Sequence, residues 1–208
     1  MDDKLKSAAY FNRHSSTLLN RNGYWSRDYR VTAGILAEKR VRRLADIGCG
    51  NGAFLALFHR VAPQVQLSGL DLSREMVLRA RQRLPEASIL EGDAENMPFA
   101  DGCFDAVSCH MSIHHHPHPD RSLREMRRIL VDGGTVLINE LTGPKWLRRL
   151  MNWCFTWWNT GDHAVYLEDE MKQMLRTAGF ANVESRRISP ISYVCTGVKQ
   201  AESERERV

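Results

Sequence analysis

A glycine-rich run, DIGCGNG at residues 46–52, constrains the fold of this chain more than any other feature. The apolar residues 44–47 are typical of a buried strand, and residues 53–61 carry apolar side chains at helical spacing. Glycines at alternate positions let the backbone turn sharply and approach a bound molecule where a Cβ atom would collide. The run therefore predicts a strand, a ligand-binding turn and a helix, with the Asp46 carboxylate at the mouth of the turn.

Two later carboxylates follow strand-like runs in the same way. Asp71 comes directly after residues 66–70, and Asp93 comes shortly after residues 88–91. Because the carboxyl ends of parallel strands meet at one edge of a sheet, we expect both side chains near the glycine-rich turn. An acidic residue at the end of the second strand is suited to accept hydrogen bonds from ribose hydroxyls. The pattern therefore indicates a nucleoside ligand.

The remaining sequence alternates between strand-like and helical patterns, which favours an α/β fold with a mostly parallel sheet covered on both faces. A tight turn at Gly133 and Gly134 is predicted to lead into the fifth strand. The last two strands are separated only by Ser189 and Pro190, so they form a hairpin and make one edge strand antiparallel. The predicted strands are 44–47, 66–70, 88–91, 104–109, 135–139, 183–188 and 191–198; the predicted helices are 53–61, 73–84, 120–130 and 167–177.

The length and composition predict one soluble domain with attached segments. The 208 residues include 43% hydrophobic and 26% charged ones, and no window approaches the ~18 uninterrupted apolar residues of a membrane span. We interpret residues 1–40 as a helical extension, 41–198 as the main domain with an aromatic-rich insert at about 144–164, and 199–208 as a disordered tail.

Charge and cysteine usage favour a cytoplasmic protein without a nucleic-acid partner. The net charge is +4, and basic residues are interspersed with acidic ones rather than grouped. The 5 cysteines are scattered and match neither a disulfide framework nor a metal site. The first residues lack the apolar core of a secretory signal, so we expect a cytoplasmic location.

The ordered set of motifs resembles the class I S-adenosylmethionine-dependent methyltransferases, of the small-molecule group related to the quinone-biosynthesis enzymes. The resemblance covers about residues 44–138 and rests on the glycine-rich run, Leu70-Asp71-Leu72-Ser73, residues 92–99, Phe104-Asp105, Ile113-His114-His115, residues 125–130 and Gly133-Gly134. It implies a Rossmann-like, doubly wound, seven-stranded sheet. It also implies S-adenosylmethionine as cofactor, a small hydrophobic or aromatic acceptor, and in-line methyl transfer that requires no metal.

The resemblance assigns partners within the cofactor site. Asp71 would accept hydrogen bonds from the ribose, and Asp93 from the exocyclic amine of adenine. Leu72 and Met76 would make apolar contacts to adenine, and the Ala94 backbone would contact the same ring. The turn of Gly48, Cys49 and Gly50 would hold the methionyl part, with its ammonium near Asp46. His110 would make a further contact to the cofactor.

Other readings of the glycine-rich run stay open. Gly48-x-Gly50-x-x-Ala53 also satisfies a looser dinucleotide fingerprint, which would make the chain an oxidoreductase. A noncatalytic protein that binds S-adenosylmethionine and a methyltransferase acting on a macromolecule are further alternatives. Against the last, no Asn-Pro-Pro-Tyr-like sequence follows the fourth strand, where Cys109-His110-Met111-Ser112 stands.

The histidines after the fourth strand are the candidate catalytic residues. We predict His110 and His114 as bases and His114 and His115 as substrate contacts, because they lie on the acceptor side of the sheet. A metal site is the alternative interpretation of the four histidines within residues 114–118. Adjacent histidines rarely point to one centre, and Pro117 interrupts the helical spacing, so we predict no metal.

Residues 145–158 carry four of the five tryptophans of the chain. Their spacing fits a helix packed on the core, an aromatic lid over a flat acceptor, or a membrane-surface helix with peripheral lipid contact. We predict that Trp146, Tyr10 and Tyr24 line the acceptor pocket. The alternative for the two tyrosines is a packed N-terminal helix pair.

Overall fold

The computed structural model describes residues 26–144 and 164–201, together with Lys4, Ala9, Asn12, Arg13 and Arg148. Three predicted acceptor contacts, Tyr10, Tyr24 and Trp146, lie outside the described residues. So do most of the tryptophan-rich insert and the predicted tail from residue 202 onward. Among the described residues, no helix combines the length and the apolarity needed to cross a lipid bilayer.

Helices and strands alternate along the described chain as predicted. The helices are α1 (Ser26–Ala37), α2 (Ala53–Val61), α3 (Arg74–Arg83), α4 (Pro119–Ile129) and α5 (Glu168–Thr177). The strands are β1 (Arg43–Ile47), β2 (Gln66–Asp71), β3 (Ser88–Glu91), β4 (Phe104–His110), β5 (Leu130–Leu141), β6 (Phe180–Ser189) and β7 (Ser192–Lys199), and a 3₁₀ turn covers Ile113–His115.

The strands form one 7-stranded sheet in the order β3-β2-β1-β4-β5-β7-β6. β1 pairs in parallel with both β2 and β4, so the strand order reverses direction beside β1. Ligands of open α/β sheets bind outside the carboxyl ends of the strands at such a switch point. The glycine-rich turn follows β1 directly, which places it at that position and confirms the predicted fold class.

The C-terminal hairpin is confirmed, and its antiparallel strand lies one place inside the sheet edge. β7 pairs antiparallel with β5 on one side and with β6 on the other, which leaves β6 at the edge. The burial of the two strands explains this order. β7 buries consecutive residues such as Tyr193, Val194 and Cys195, whereas β6 alternates and exposes Arg186 and Arg187.

The predicted tight turn at Gly133 and Gly134 is wrong. β5 already begins at Leu130, and its pairing with β4 shifts from Phe104↔Leu130 to Ala106↔Thr135. The glycines therefore lie in a bulge of a continuous strand. Gly133 has a φ of 78°, and a Cβ on Gly134 would lie 2.8 Å from the Val131 carbonyl oxygen, so the bulge requires small residues.

Two apolar cores, one of which takes in α1 and the other α4 and α5, hold the sheet. On α2, Phe54, Leu55 and Phe58 are all buried, and burying such side chains contributes about 1.5–3 kcal/mol each. α1, within the predicted N-terminal extension, is also tied to the sheet. The buried Asp28 carboxylate accepts a hydrogen bond of 3.1 Å from the Asn139 side chain on β5.

Candidate functional site

Three glycines of the glycine-rich turn have left-handed backbone, and the space around them differs from one glycine to the next. Gly48, Gly50 and Gly52 have φ values of 69°, 52° and 73°. A Cβ on Gly48 would lie 1.9 Å from the Ser112 Oγ atom, whereas a Cβ on Gly50 would meet nothing within 4 Å. The N–H of Gly48 donates to the Leu70 carbonyl over 2.8 Å. The turn is thus fixed to the end of β2 and leaves open space at Gly50.

Asp71 joins the end of β2 to this turn. Its carboxylate accepts hydrogen bonds from the Gly50 N–H over 2.7 Å and from the Ser73 N–H over 2.9 Å. Burial raises the pKa of Asp71 to about 6, although both hydrogen bonds oppose the rise. Ser73 caps α3 as predicted, because its hydroxyl accepts from the Met76 N–H. A carboxylate has room for further hydrogen bonds, so Asp71 can also bind a ligand beside Gly50.

Asp46 is a buried carboxylate beside the same turn. It is 1% exposed and accepts a hydrogen bond of 2.7 Å from the Ser108 hydroxyl on β4. Burial and, to a smaller extent, the negative charge of Asp71 raise the pKa of Asp46 to about 8, although the hydrogen bond from Ser108 opposes the rise. A cationic group stabilises the ionised forms of two neighbouring carboxylates, of which Asp46 is buried and Asp71 half-buried. The site is therefore electrostatically suited to a ligand that carries positive charge.

The raised pKa of Asp46 predicts how stability depends on pH. Between its unfolded value near 4 and about 8, the folded protein binds the additional proton, so the free energy of unfolding falls as the pH rises. Burial lowers the pKa values of His110 and His116 to about 3. These histidines make the free energy of unfolding rise with pH, because only the unfolded protein protonates them above pH 3. This effect ends near pH 7, where unfolded histidines have lost their protons.

We therefore expect the melting temperature of the ligand-free protein to fall between pH 7 and pH 8.5, and to fall less in Asp46→Asn. Thermal unfolding followed by circular dichroism measures both slopes. An unchanged slope in the variant would show that Asp46 does not titrate in this range.

The loop after β3 places Asp93 next to Lys4. The Lys4 ammonium lies 2.7 Å from Asp93 and 2.9 Å from Glu95. Burial opposes the ionisation of Asp93, but hydrogen bonds from Lys4 and from the Glu95 N–H outweigh it and hold the pKa of Asp93 below its usual value. Lys4 thus contacts one oxygen of the carboxylate that the family resemblance assigns to the adenine amine.

Helix α4 holds the same loop from the opposite side. The Glu125 carboxylate accepts from the Met97 N–H over 2.8 Å. Arg128 donates to the carbonyl oxygens of Met97 and Phe99 and forms an ion pair with Glu125. These contacts fix the course of the segment predicted to face adenine.

The other predicted cofactor residues differ in exposure. Leu72 is 36% exposed, whereas Met76 and Cys49 are buried. The Cys49 side chain belongs to the α1-side core, so only its backbone lies along the turn. Ala94 is half-buried against the other core. Leu72 and Ala94 are thus the more accessible of these four.

His110 ends β4 in an aromatic environment. Its ring centroid lies 3.8 Å from that of Phe54 and 5.4 Å from that of Tyr29. Burial lowers the pKa of His110 to about 3, so the ring is neutral. Its Nε2 atom lies 3.9 Å from Asp46. Met111, the next residue, has a φ of 48°, and this left-handed residue redirects the chain over the glycine-rich turn.

His114 forms a buried pair with a carboxylate that the sequence analysis missed. The Nδ1 atom of His114 lies 2.7 Å from the Oε2 atom of Glu140, and both side chains are at most 9% exposed. Burial alone would raise the pKa of Glu140, but the charge of His114 and its hydrogen bond outweigh it and hold that pKa below its usual value. Glu140 follows the strand-like residues 135–139, a signal like the one that pointed to Asp71.

The neighbouring histidines have separate contacts. The His116 ring lies 2.8 Å from the Ser122 hydroxyl through Nδ1 and 3.3 Å from the Ser112 hydroxyl through Nε2. The ring of His115 lies 4.1 Å from that of His114, measured between centroids. Within residues 26–144 and 164–201, no group of three or more histidine, cysteine or acidic side chains is arranged to hold a metal ion.

Comparisons with known proteins give a consistent set of relatives. Residues 45–138 match the family described as "Methyltransferase domain". The demethylmenaquinone methyltransferase of Thermotoga maritima is 34% identical over 110 residues, which are 53% of this chain and 48% of the relative. The chloroplastic 2-methyl-6-phytyl-1,4-hydroquinone methyltransferase 2 of Oryza sativa is 32% identical over 197 residues, 90% of this chain and 54% of the relative.

The chain spans about half the length of these two relatives. A solved structure from Thermotoga maritima, titled as a SAM-dependent methyltransferase and possible histamine N-methyltransferase, superposes with a TM-score of 0.74 at 21% identity. The match covers 92% of this chain and 99% of that one. At this identity the likeness establishes the fold alone.

Proposed function

We propose that this chain, whose residues 45–138 match the family described as "Methyltransferase domain", is a class I S-adenosylmethionine-dependent methyltransferase that methylates a small hydrophobic aromatic acceptor of the quinol class. Two relatives are named for methylating a demethylmenaquinone and a phytyl hydroquinone. Both acceptors are aromatic rings with hydroxyl groups in the reduced form. This shared chemistry supports a quinol as the acceptor.

The observation that carries this proposal is the pair of carboxylates beside the glycine-rich turn, the buried Asp46 and the half-buried Asp71. Asp46 and Asp71 have raised pKa values of about 8 and about 6, and Gly50 between them faces open space. S-adenosylmethionine fits this arrangement, because it carries an ammonium and a sulfonium on an adenosyl group. When bound, it supplies a methyl group that is already activated for displacement.

The chain's own residues then bind the cofactor and orient it. We assign Asp71 to the ribose, Asp46 to the ammonium, and residues 92–99, which α4 holds, to the adenine. A dinucleotide brings phosphates and therefore negative charge, which two neighbouring carboxylates disfavour. The oxidoreductase alternative is thus weaker on electrostatic grounds.

We assign the acceptor side to the turn that contains His114. Removal of the hydroxyl proton makes a quinol a stronger nucleophile, and a histidine is a suitable base. His114 is preferred to His110 because burial lowers the pKa of His110 to about 3 and makes it a weak base. His115, beside His114, remains a proposed acceptor contact. We also propose a cytoplasmic location, on the basis of the scattered cysteine pattern of the sequence.

A direct test combines binding and turnover. Titration calorimetry with S-adenosylhomocysteine is expected to give micromolar-range affinity. Incubation with methyl-labelled S-adenosylmethionine and reduced, short-chain demethylmenaquinone is expected to give labelled quinone product and S-adenosylhomocysteine.

Three outcomes would contradict the proposal in different ways. Tight binding of a nicotinamide dinucleotide in place of S-adenosylhomocysteine would support an oxidoreductase. Cofactor binding without transfer to any quinol would support a noncatalytic protein or another acceptor. Label found in RNA or protein from a cell extract, but not in its lipid fraction, would favour a macromolecular acceptor.

A further inference from the structure

We infer that Glu140 is a positioning residue that holds His114 in the tautomer needed to take a hydroxyl proton from a phenol or quinol acceptor. The inference rests on the proposed function and adds a residue and an acceptor class to it. It is carried by the contacts of Glu140, by the place of His114 beside the glycine-rich turn, and by the tautomer that those contacts require.

Glu140 is fixed by contacts on both of its oxygens. The Oε1 atom accepts from the Ile113 N–H over 2.9 Å. The Oε2 atom lies 2.7 Å from His114 Nδ1 and 3.3 Å from the Leu141 N–H. The side chain is 2% exposed, so the carboxylate has little freedom to change partners. The 3₁₀ turn is thereby tied to the end of β5 at both its backbone and its imidazole.

The same turn lies against the proposed cofactor site. β4 and β5 pair in parallel up to His110↔Asn139, so Glu140 lies just past the carboxyl end of β4. Ser112, two residues before His114, sits where a Cβ on Gly48 would be, with Oγ 1.9 Å from that position. The turn that carries His114 therefore starts against the part of the glycine-rich turn that is assigned to the methionyl end of the cofactor.

The contact fixes which nitrogen carries the proton. An ionised carboxylate only accepts hydrogen bonds, so the neutral His114 ring has to donate through Nδ1–H. The basic lone pair is then on Nε2. When the acceptor O–H bond breaks, its proton goes to Nε2, its electron pair stays on the acceptor, and the resulting imidazolium is balanced by Glu140.

The methyl transfer completes the balance of charge. When S-adenosylmethionine is bound, its activated methyl group would pass to the acceptor, and the electron pair of the broken carbon–sulfur bond would stay on sulfur. If the oxygen is methylated, its freed electron pair forms the new bond. If a ring carbon beside the hydroxyl is methylated, that electron pair drives bond formation from the carbon, and the hydrogen on this carbon then leaves as a proton that restores the hydroxyl. One positive charge is lost from the sulfonium and one proton is gained by His114, which releases it to solvent. The inference therefore applies to acceptors that give up a hydroxyl proton.

Glu140→Gln gives a sharp test because the geometry decides how the new amide is oriented. The Ile113 N–H donates to Oε1 over 2.9 Å, whereas the Leu141 N–H donates to Oε2 over 3.3 Å, so the shorter hydrogen bond favours the amide oxygen at the Oε1 position. The amide NH₂ then faces His114 Nδ1, which becomes an acceptor, and the ring proton moves to Nε2. The variant should therefore keep the loop and lose the base.

We would first measure the tautomer by ¹⁵N-histidine NMR at a pH where His114 is neutral. The wild-type ring is expected to show the Nδ1–H form, and Glu140→Gln the Nε2–H form. A wild-type ring in the Nε2–H form, or one that stays cationic throughout the active pH range, would overturn the inference. The wild-type measurement needs no acceptor and decides the inference even if Glu140→Gln does not fold.

Turnover of the reduced demethylmenaquinone probe is the second measurement. His114→Ala is expected to lower kcat by about 100-fold or more, Glu140→Gln to cause most of that loss, and the double variant to be no slower than His114→Ala. The affinity for S-adenosylhomocysteine should stay within about twofold in all three. Additive losses, or unchanged kcat in Glu140→Gln, would instead assign the pair a structural role.

The chain offers a matched control in a second histidine–glutamate pair. His59 on α2 lies 3.3 Å from Glu86, and both side chains are substantially exposed, at 33% and 51%. Glu86→Gln is expected to change neither kcat nor the tautomer of His114. If wild type binds the cofactor but methylates no quinol, the proposed function fails while the NMR result still decides the role of Glu140.

Discussion

Replacing Gly48 by alanine is expected to destabilise the protein by about 2–5 kcal/mol and to remove most cofactor binding. The left-handed φ of 69° costs an L-residue about 1–2 kcal/mol. In addition, the new methyl group would lie 1.9 Å from the Oγ atom and 2.6 Å from the Cβ atom of Ser112. A rotamer change of the serine relieves only the first contact, so the loop has to move.

Two further variants separate the cost of the left-handed backbone at residue 48 from the cost of the collision with Ser112. Gly50→Ala has a φ of 52° but meets nothing within 4 Å, so it should lose only about 1–2 kcal/mol of stability. Ser112→Gly removes the colliding atoms and should restore part of the stability of Gly48→Ala. Urea unfolding measures all four proteins, and equal losses at both glycines, without rescue, would contradict the argument.

The sequence predicts the sheet well where local patterns and long-range packing agree. Strands such as Gln66–Asp71 and helices such as Ala53–Val61 match their predicted positions within a residue or two, because each buries a periodic apolar face. The glycine pair at 133–134 misled the prediction, since glycines mark bulges as well as turns. The order of β6 and β7 was also inaccessible, because it depends on which strand finds partners on both sides.

In the candidate site too, residues marked by a local sequence pattern could be predicted, whereas residues defined by a distant contact could not. Asp46 and Asp71 could be predicted, because each ends an apolar run next to a recognisable turn. Lys4 could not, since nothing near it in the sequence indicates its contact with Asp93, 89 residues away. Glu140 was missed for a similar reason: its partner His114 lies 26 residues earlier.

The proposed cofactor site joins elements that are distant in sequence, and its electrostatics explain why they need a ligand. Burial raises the pKa of both Asp46 and Asp71, so their ionised forms are costly without a compensating positive charge. A bound cation offsets that cost, which couples cofactor affinity to the charge of the carboxylates. Asp93 differs, because Lys4 already compensates its charge.

Replacing Asp71 by alanine is expected to weaken S-adenosylhomocysteine binding by about 1.5–3 kcal/mol, or roughly 10- to 150-fold in Kd. The variant loses charge-assisted hydrogen bonds to the ribose. It also loses the anchor of the Gly50 and Ser73 N–H groups, so a weaker Kd alone does not prove ribose contact.

A ligand lacking one hydroxyl separates these two effects. The 2′-deoxy analogue of S-adenosylhomocysteine should bind wild type about tenfold more weakly than the parent compound, because one hydrogen bond to a charged group is missing. In Asp71→Ala the two compounds should bind almost equally, since the partner of that hydroxyl is absent. Asp120→Asn, at an exposed carboxylate on α4 that pairs with Arg124, is the control and should bind both like wild type. Calorimetry gives the four affinities of the cycle, and an equal penalty for the deoxy compound in wild type and Asp71→Ala would remove Asp71 from the ribose site.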